Sequence, residues 1–337
     1  MWLLSGRRVV GSPMEGCVWR LLAGFGARRC LGSVAAAAEW EPRVSIMTAS
    51  SETGKACAFE LLARSHPSPL IRGCFRSEIK AIQVTAAVRG MDAVVGMDAF
   101  RPSSLTSCLE GVDVAVVVTP FDATRGFERD SELSENMIHA AVTAGVRRII
   151  YVGSWTVKEP QRLHGIAQRF YSTENYLKHE LPDDVEWTVL RGGYFMNNFL
   201  HLFKDSIRAD GVIRFPKIMV PAVDTRDIGR CAAALALEPT DVHHGKVYHM
   251  SGPVVLSMQD IADVLSRALR TKVRFEELSV DAWCADKIPA LVELVQYLVK
   301  EQALAVPFHP EHISQILGGG EDPTSLEVWA KEHRAVF

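Results

Sequence analysis

Apolar runs alternate with amphipathic stretches along the chain from residue 44 onward. Short runs of consecutive apolar residues, rich in β-branched side chains, predict strands that are buried on both faces. Such runs occupy residues 44–47, 70–75, 93–95, 112–119, 148–152 and 186–190. Helical periodicity separates most of them. This repeated order of strand and helix predicts an α/β fold with a doubly wound parallel sheet and helices on both faces.

The pattern is less regular after residue 190. Helical periodicity covers residues 197–209, Thr225–Leu237 and Met258–Leu269, with Ser257 as a cap, and one clear strand covers Lys246–Met250. We divide the chain into a core, residues 43–200, and a small C-terminal α/β lobe, residues 201–337. The lobe is expected to pack on the core and not to fold independently.

Residues 1–40 differ in composition from the rest of the chain. They contain five arginines, no lysine and two acidic residues, with apolar side chains between the arginines. A basic, acid-poor, amphipathic segment is typical of a mitochondrial transit peptide, so we predict mitochondrial localisation. The alternative is a disordered extension on a cytoplasmic protein.

The overall composition excludes several classes of function. The chain has 337 residues, of which 48% are hydrophobic, and a formal net charge of −3. This balance gives no basic surface for nucleic acid, and no apolar run approaches the roughly 20 residues that span a bilayer. The seven cysteines are scattered without a Cys-x-x-Cys pair, which favours reduced, internally packed thiols. His243, His244 and His249 lack the partners of a metal set, so no metal site is predicted.

The stretch after the first predicted strand combines a turn of small residues with the start of a helix. Thr48, Ser51 and Gly54 stand at the glycine positions of a G-x-x-G-x-x-G dinucleotide loop. Because amides at a helix N-terminus favour a phosphate, Thr48, Ser51, Thr53 and Gly54 are predicted cofactor contacts. Lys55 either adds charge near the pyrophosphate or is simply exposed. Thr48 and Ser51 place side chains where such loops leave bare backbone, so lost cofactor binding is an alternative.

Five segments together resemble one known family. They are residues 111–120 (GVDVAVVVTP), 140–154 (AAVTAGVRRIIYVGS), 187–199 (WTVLRGGYFMNNF), 223–229 (VDTRDIG) and 246–253 (KVYHMSGP). The chain is similar in these segments to the NmrA-like group of atypical short-chain dehydrogenases/reductases. The resemblance implies a Rossmann-like core that binds NAD(P)(H), plus a small C-terminal lobe. Members of this group include quinone reductases, other reductases, and regulators that sense the cofactor without turnover.

The resemblance also implies how the cofactor lies on the sheet. Arg76 stands where members that prefer NADP(H) place an arginine against the adenosine 2′-phosphate, whereas an acidic residue there would indicate NAD(H). Asp98 matches the position beside the adenine, and Thr119, Pro120 and Phe121 match a loop that lines the cofactor. We therefore predict NADP(H), with NAD(H) as the second choice. The alternatives are a solvated surface arginine and a helix-capping aspartate.

The usual acid of short-chain reductases is missing. These enzymes use a serine and a Tyr-x-x-x-Lys motif, in which the lysine lowers the pKa of the tyrosine. Ser154 is in place, but the residues four positions after Tyr171 and Tyr176 are Asn175 and Glu180. The catalytic candidates are Ser154 and His164, the latter because imidazole titrates near neutral pH. Trp155, Tyr194, Phe195 and Asn198, with Phe121, are the candidate substrate pocket.

Two functions follow from these features. The first is an NADP(H)-binding reductase that passes hydride to a small hydrophobic, quinone-like acceptor. The second is a non-enzymatic redox-cofactor sensor or interaction protein of the same fold, with a protein partner and with weakened or lost cofactor binding. Turnover with a quinone distinguishes the first from the second.

Overall fold

A computed structural model describes residues 41–64, 70–120, 129–239, 242–285 and 287–337, except for the side chain of His164. The predicted targeting segment, residues 1–40, and Phe121 lie outside these ranges, so the expectations for them stay predictions. Within the described ranges, no helix has the length and apolar character that crossing a membrane requires.

Seven parallel strands form the central sheet. They are β1 (Val44–Met47), β2 (Ile71–Phe75), β3 (Asp92–Val95), β4 (Val114–Val118), β5 (Arg148–Ser154), β6 (Glu186–Gly192) and β9 (Lys246–Met250). The strand order is β3-β2-β1-β4-β5-β6-β9. The chain therefore builds outward first on one side of β1 and then on the other. Ligands of such sheets bind at the carboxyl ends of the strands, where the order reverses.

The residues of β4 show why the sheet is covered on both faces. All five are buried, as a central parallel strand requires. Val114 and Val116 pack into one hydrophobic cluster, whereas Ala115 and Val117 pack into another on the opposite face. The predicted doubly wound α/β fold is confirmed. The strands predicted at 148–152 and 186–190 each extend two residues further than expected.

Helices cover both faces of the sheet. One layer contains α1 (Glu52–Arg64), α2 (Glu78–Ala87), α7 (Thr225–Leu237) and α11 (Glu311–Leu317). The other contains α3 (Thr106–Leu109), α4 (Asp130–Thr143) and α5 (His164–His179). Gly229 permits the close approach of α7 to α1, because a Cβ there would lie 2.6 Å from the Cβ of Ala56 and 2.7 Å from the carbonyl oxygen of Thr53.

The C-terminal part of the chain adds two small sheets. β7 (Val212–Phe215) pairs in parallel with β11 (Arg274–Glu277), and β8 (Met219–Val220) pairs antiparallel with β10 (Leu256–Ser257). Its helices are α6 (Asn197–Asp210), α8 (Met258–Leu269), α9 (Val280–Cys284), α10 (Pro289–Glu301) and α12 (Leu326–Glu332). Phe199, Phe203, Phe215 and Trp329 form a buried aromatic core between these elements. β9 also comes from this part of the chain, and it extends the central sheet beside β6.

Two local predictions are confirmed. Ser257 caps α8: its hydroxyl oxygen accepts a hydrogen bond from the amide of Asp260, and the Asp260 carboxylate accepts one from the amide of Ser257. In the described part of the chain, Cys57, Cys74, Cys108 and Cys231 are free and buried, and Cys284 is free and half-buried.

Candidate functional site

A cavity of about 430 Å³ lies at the carboxyl ends of β1 to β4. Its wall is formed by Thr48, Ser50, Cys74, Arg76, Ser77, Lys80, Met97, Asp98, Ala99, Phe100, Pro120 and Leu133. Four predicted contacts are among these residues, and each follows a different strand: Thr48 follows β1, Arg76 follows β2, Asp98 follows β3 and Pro120 follows β4. The fold thus places these four side chains around one space.

Positive charge dominates the ionisable groups of the cavity wall. Arg76 and Lys80 are both exposed, and Asp98 is the acidic residue among the lining positions. Sequence reasoning missed Lys80. The signal was a helix start close to the strand end, because Lys80 lies in the first turn of α2, which begins two residues after Arg76. Two cations at the end of β2 match the charge of a phosphate group.

Asp98 holds a local turn and also lies in the cavity wall. Its carboxylate accepts hydrogen bonds from the backbone amide of Phe100 at 3.1 Å and from Nε of Arg101 at 3.1 Å. The backbone of Asp98 is held in turn by the hydroxyl of Ser104. The next helical turn begins at Pro102 with Arg101 as its N-cap and no side-chain cap, so Asp98 is not the helix cap of the alternative, and its contact with a cofactor stays a prediction.

The loop between β1 and α1 is shaped by its side chains. Thr48 adopts a φ of 67°, a left-handed conformation that is an outlier for a β-branched residue, and its buried Oγ1 has no hydrogen-bond partner. The hydroxyl oxygen of Ser51 accepts a hydrogen bond from the amide of Gly54 at 3.0 Å. A Cβ at position 54 would lie 2.7 Å from the carbonyl oxygen of Thr48, so this position requires glycine.

Two other residues of this helix start have local roles. Lys55 Nζ lies 2.6 Å from Oε1 of Glu52, one helical turn earlier, which is the arrangement of an ordinary surface ion pair. Thr53 is buried in the first turn of α1. Neither residue is among those that line the cavity.

The side-chain hydroxyl of Thr119 forms hydrogen bonds with buried residues of the protein. The hydroxyl lies 3.0 Å from Oη of Tyr151 and 3.1 Å from Oγ of Ser134. Burial raises the pKa of Tyr151, which keeps this phenol neutral. Thr119 supports the strand end below the cavity, and the next residue, Pro120, forms part of the wall.

The other predicted pocket residues follow β5 and β6. Ser154 Oγ accepts hydrogen bonds from the amide of Thr156 at 3.3 Å and from its hydroxyl at 3.0 Å. Trp155 is buried, with its ring 6.1 Å from that of Tyr297. The helix α5 begins at His164, whose side chain is outside the described atoms.

The residues after β6 form a separate group. Tyr194 is buried, and burial raises its pKa against the opposing effect of a hydrogen bond with Asn198. Phe195 is half-buried and forms an isolated β-bridge with Val223. The residues that line the cavity do not include Trp155, Tyr194, Phe195 or Asn198, so the cavity does not unite the predicted substrate pocket with the predicted cofactor contacts.

A buried ion-pair network, which sequence reasoning missed, lies beside Ser154. Glu174 on α5 is 1% exposed and accepts hydrogen bonds from Nε and Nη2 of Arg191 on β6, at 3.0 Å and 2.7 Å. Lys178 Nζ lies 3.1 Å from the same carboxylate. Glycine at position 153 leaves room for the pairing, since a Cβ there would lie 3.1 Å from the ring of Tyr151 and 3.3 Å from Oε1 of Glu174.

The tyrosines of α5 do not form a reductase acid. Tyr171 is exposed, and the ring of Tyr176 lies 4.5 Å from that of His139. Burial, with Glu180 and Glu135 nearby, raises the pKa of Tyr176. A raised pKa makes this phenol a weaker acid at neutral pH.

The donor groups of the cavity fit the adenosine end of a phosphorylated dinucleotide. Arg76 and Lys80 supply charge for a 2′-phosphate, and Phe100 and Pro120 supply apolar wall for a base. The pyrophosphate end is less complete, because Ser51 occupies the amide of Gly54. The cavity wall therefore presents two cations to an adenosine phosphate, whereas one backbone amide that would bind a pyrophosphate is already hydrogen-bonded to Ser51.

Comparisons of sequence agree with this geometry. A sequence profile described as the NmrA-like family matches residues 43–304. The (4-alkanoyl-5-oxo-2,5-dihydrofuran-3-yl)methyl phosphate reductase of Streptomyces griseus is 35% identical over 202 residues, which cover 59% of this chain and 67% of that protein. The NAD(P)H azoreductase of Xenophilus azovorans is 27% identical over 270 residues, which cover 78% of this chain and 88% of that protein.

Comparisons of structure show the same fold. An NADPH-dependent quinone oxidoreductase from Escherichia coli, solved with NADPH, has a TM-score of 0.70 and 22% identity, covering 86% of this chain and 99% of that one. The negative transcriptional regulator NmrA, solved with NAD, has a TM-score of 0.69 and 16% identity, covering 88% of this chain and 96% of that one. With the profile matching more than three quarters of its length, the chain belongs to the NmrA-like family.

Proposed function

We propose that this chain is an NADP(H)-binding reductase that passes a hydride to a small hydrophobic acceptor such as a quinone. The observation that carries the proposal is the placement of Arg76 and Lys80 in one cavity at the end of β2. NADP(H) differs from NAD(H) by one phosphate on the adenosine ribose, and two cations at this strand end supply its counter-charge.

The named relatives support the reaction class. They include an NAD(P)H azoreductase and a (4-alkanoyl-5-oxo-2,5-dihydrofuran-3-yl)methyl phosphate reductase by sequence, and an NADPH-dependent quinone oxidoreductase by structure. Their acceptors differ, so the relatives support hydride transfer and leave the acceptor to be identified by experiment. The quinone is proposed because its reduction needs no fixed acid.

Reduction of a quinone by NADPH requires few chemical steps from the protein's own residues. NADPH, when bound, supplies a hydride with its two electrons, and reduction of a quinone to a hydroquinone takes up one further proton. Water can supply that proton to the product oxyanion. Ser154 Oγ accepts two hydrogen bonds, so its own proton can be donated to an acceptor oxygen. Trp155, Tyr194, Phe195 and Asn198 would then position the acceptor.

One observation favours a second function, a cofactor sensor without turnover. The described part of α5 carries no Tyr-x-x-x-Lys motif, and the pKa of Tyr176 is raised instead of lowered. The structural neighbour NmrA, a transcriptional regulator solved with NAD, gives a precedent in the same fold. A sensor would bind NADPH and change its interaction with a protein partner.

Two measurements on the full chain separate these functions. Calorimetric titration with NADPH and NADH tests binding, and oxidation of NADPH in the presence of a quinone panel tests turnover. Binding with turnover supports the reductase, binding without turnover supports the sensor, and absence of NADPH binding refutes both.

We also propose that residues 1–40 direct the chain to mitochondria, because this segment is rich in arginine and poor in acids. A fluorescent fusion of the full chain should colocalise with mitochondria, and the same fusion with the five arginines replaced by glutamine should not. A cytoplasmic signal from the unmodified fusion would refute this.

A further inference from the structure

Three histidines converge beside the last strand of the central sheet. His249 occupies the next-to-last position of β9, and His309 and His312 flank the start of α11. The ring centroids of His309 and His312 lie 4.8 Å apart with an interplanar angle of 13°. The ring of His249 lies 5.5 Å from His309 and 6.4 Å from His312. β9 and α11 thus assemble the cluster from distant parts of the chain.

A carboxylate completes the group. Oε1 of Glu311 lies 3.0 Å from Nδ1 of His309. One ligand atom from each of His309, Glu311 and His312 can be chosen so that all lie within 4.8 Å of one another. Ligand atoms around a tetrahedral zinc ion are about 3.3 Å apart, given bond lengths of about 2.0 Å, so modest side-chain rotation would bring these three onto one ion. Glu311 and His309 are more than one-third exposed, which leaves the site accessible.

The backbone holds these side chains in place without using their outer atoms. The amide of His309 donates to Oγ of Ser251 at 2.9 Å. The amide of His249 donates a hydrogen bond to Nδ1 of His312 at 3.0 Å, and the same nitrogen lies 3.2 Å from the carbonyl oxygen of His249. A proton on Nδ1 would exchange the first contact for a hydrogen bond to that carbonyl and would leave the lone pair of Nε2 for an ion. Metal-binding histidines are commonly fixed by such a bond from the second ring nitrogen to a backbone carbonyl.

His249 supplies an independent indication of a missing ligand. Its Nδ1 is buried and has no hydrogen-bond partner. A buried polar atom usually has a hydrogen-bond partner.

We propose that His309, Glu311 and His312 bind a divalent transition-metal ion of the zinc type, beside the unpartnered Nδ1 of His249. Imidazole and carboxylate ligands suit this class of ion. His249 lies near His243 and His244 in the sequence, whereas His309 and His312 lie some sixty residues later in the chain. The site is independent of the cavity that contains Arg76.

Equilibrium dialysis of the full, metal-stripped chain against Zn²⁺ tests the proposal. The unmodified chain should bind one ion with micromolar affinity or better, and H309A and E311Q should each weaken binding at least about tenfold. H201A is the matched control, because His201 is an exposed histidine on α6 away from the cluster, and it should bind like the unmodified chain. Absence of binding by the unmodified chain, or equal binding by H309A and E311Q, would overturn the proposal.

Two further readouts separate coordination from folding. E311Q changes an exposed side chain, so its unfolding curve without metal should match that of the unmodified chain. Zn²⁺ should raise the thermal midpoint of the unmodified chain by mass action but should not raise that of H309A. Co²⁺ should give the visible absorption of a four-coordinate site only when the cluster is intact, and octahedral-type absorption would mean adventitious binding and refute the site. NADPH titration of H309A should be unchanged, so failure here is distinguishable from failure of the proposed reductase.

Discussion

The amide of Gly54 donates a hydrogen bond to the hydroxyl oxygen of Ser51 across 3.0 Å. Ser51 stands where a dinucleotide loop has its second glycine, and here it is the N-cap of α1. The cap stabilises the helix start, but it also satisfies an amide that a pyrophosphate would otherwise use. The loop therefore keeps the backbone path of a dinucleotide-binding loop, but its Gly54 amide is already hydrogen-bonded to Ser51.

Replacing Ser51 with glycine should tighten NADPH binding severalfold. The change frees the amide of Gly54 and removes a side chain from the loop, while loss of a serine cap to glycine costs only a few tenths of a kcal/mol. Calorimetry with NADPH measures the effect. S257G is the matched control, because it removes the cap of α8 far from the loop and should leave NADPH affinity unchanged. Weaker binding by S51G would instead show that the Ser51 hydroxyl contacts the cofactor.

Replacing Thr48 with glycine should stabilise the folded chain. A β-branched residue at a φ of 67° carries strain of roughly 1–2 kcal/mol, which exceeds the conformational entropy that glycine adds to the unfolded chain. We expect a gain of about 1 kcal/mol in the free energy of unfolding, measured by urea denaturation. T48A separates the causes: it removes the orphan hydroxyl and keeps the strained φ, so it should gain less than T48G. Equal or lower stability of T48G would contradict the strain argument.

Neutralising Glu174 should destabilise the protein strongly. E174Q leaves the guanidinium of Arg191, which is 14% exposed, without its buried counter-charge, and such losses amount to about 3 kcal/mol or more. Urea denaturation measures the loss. E132Q is the control, since the pair of Glu132 with Arg129 is exposed and should contribute less than about 1 kcal/mol.

A double variant checks this interpretation. Combining E174Q with R191M removes the more buried uncompensated charge and leaves only that of the more exposed Lys178, so the double variant should be more stable than E174Q alone. If the loss of unfolding free energy in the double variant equalled the sum of the losses in E174Q and R191M, the destabilisation would come from lost packing and not from an uncompensated charge.

Ionisation of Asp113 should make the free energy of unfolding depend on pH in the acidic range. Burial alone would raise its pKa, but hydrogen bonds from the amide and guanidinium of Arg43 and from Arg147 lower it. A carboxyl with a lowered folded pKa stabilises the fold above its unfolded pKa of about 3.9, and this contribution is lost as pH falls through the folded value. D113N should therefore cost about 1 kcal/mol at pH 7, a small value because both arginines are largely exposed, and the difference should vanish in acid.

The measurement is urea denaturation of D113N and the unmodified chain between pH 7 and pH 2.5. D183N is the control, because Asp183 is an exposed aspartate in the turn before β6. A difference between D113N and the unmodified chain that persists at the lowest pH would show that the effect is not ionic.

Features that depend on the local pattern of apolar and polar residues could be predicted from the sequence. The strand after which Arg76 lies was readable from its apolar run, and its position at a strand end followed from the α/β order. Lys80 needed the register of the helix start, which the sequence shows only weakly. The site residues near β5 and β6 were named from resemblance to the family, and their packing against Tyr297 and Val223 was not foreseeable from spacing.

Contacts between distant segments could not be predicted in this way. Glu174 lies on a helix and Arg191 on the next strand, and only the parallel register of β5 with β6 places Gly153 beside Arg191. His249 and His312 are separated by 63 positions, and they meet because α11 covers the free edge of β9. A single sequence gives no signal for either pairing, since both depend on how separate elements dock.

The discrimination between NADPH and NADH tests the central assignment. Arg76 and Lys80 line the same cavity at the end of β2, and a charge-assisted hydrogen bond to a phosphate contributes about 1.5–3 kcal/mol. R76A should therefore weaken NADPH binding at least about tenfold, since 1.4 kcal/mol corresponds to a factor of ten, and K80A should weaken it less. NADH affinity should be unchanged in both variants, because NADH lacks the 2′-phosphate.

K55A is the matched control: Lys55 is paired with Glu52 away from the cavity wall, and its loss should leave the ratio of the NADPH and NADH affinities unchanged. Raising the salt concentration should weaken NADPH binding more than NADH binding in the unmodified chain and equally in the double variant R76A/K80A. If R76A lowered both affinities alike, the arginine would be acting on the loop and not on the phosphate, and the position of the adenosine in this cavity would have to be abandoned.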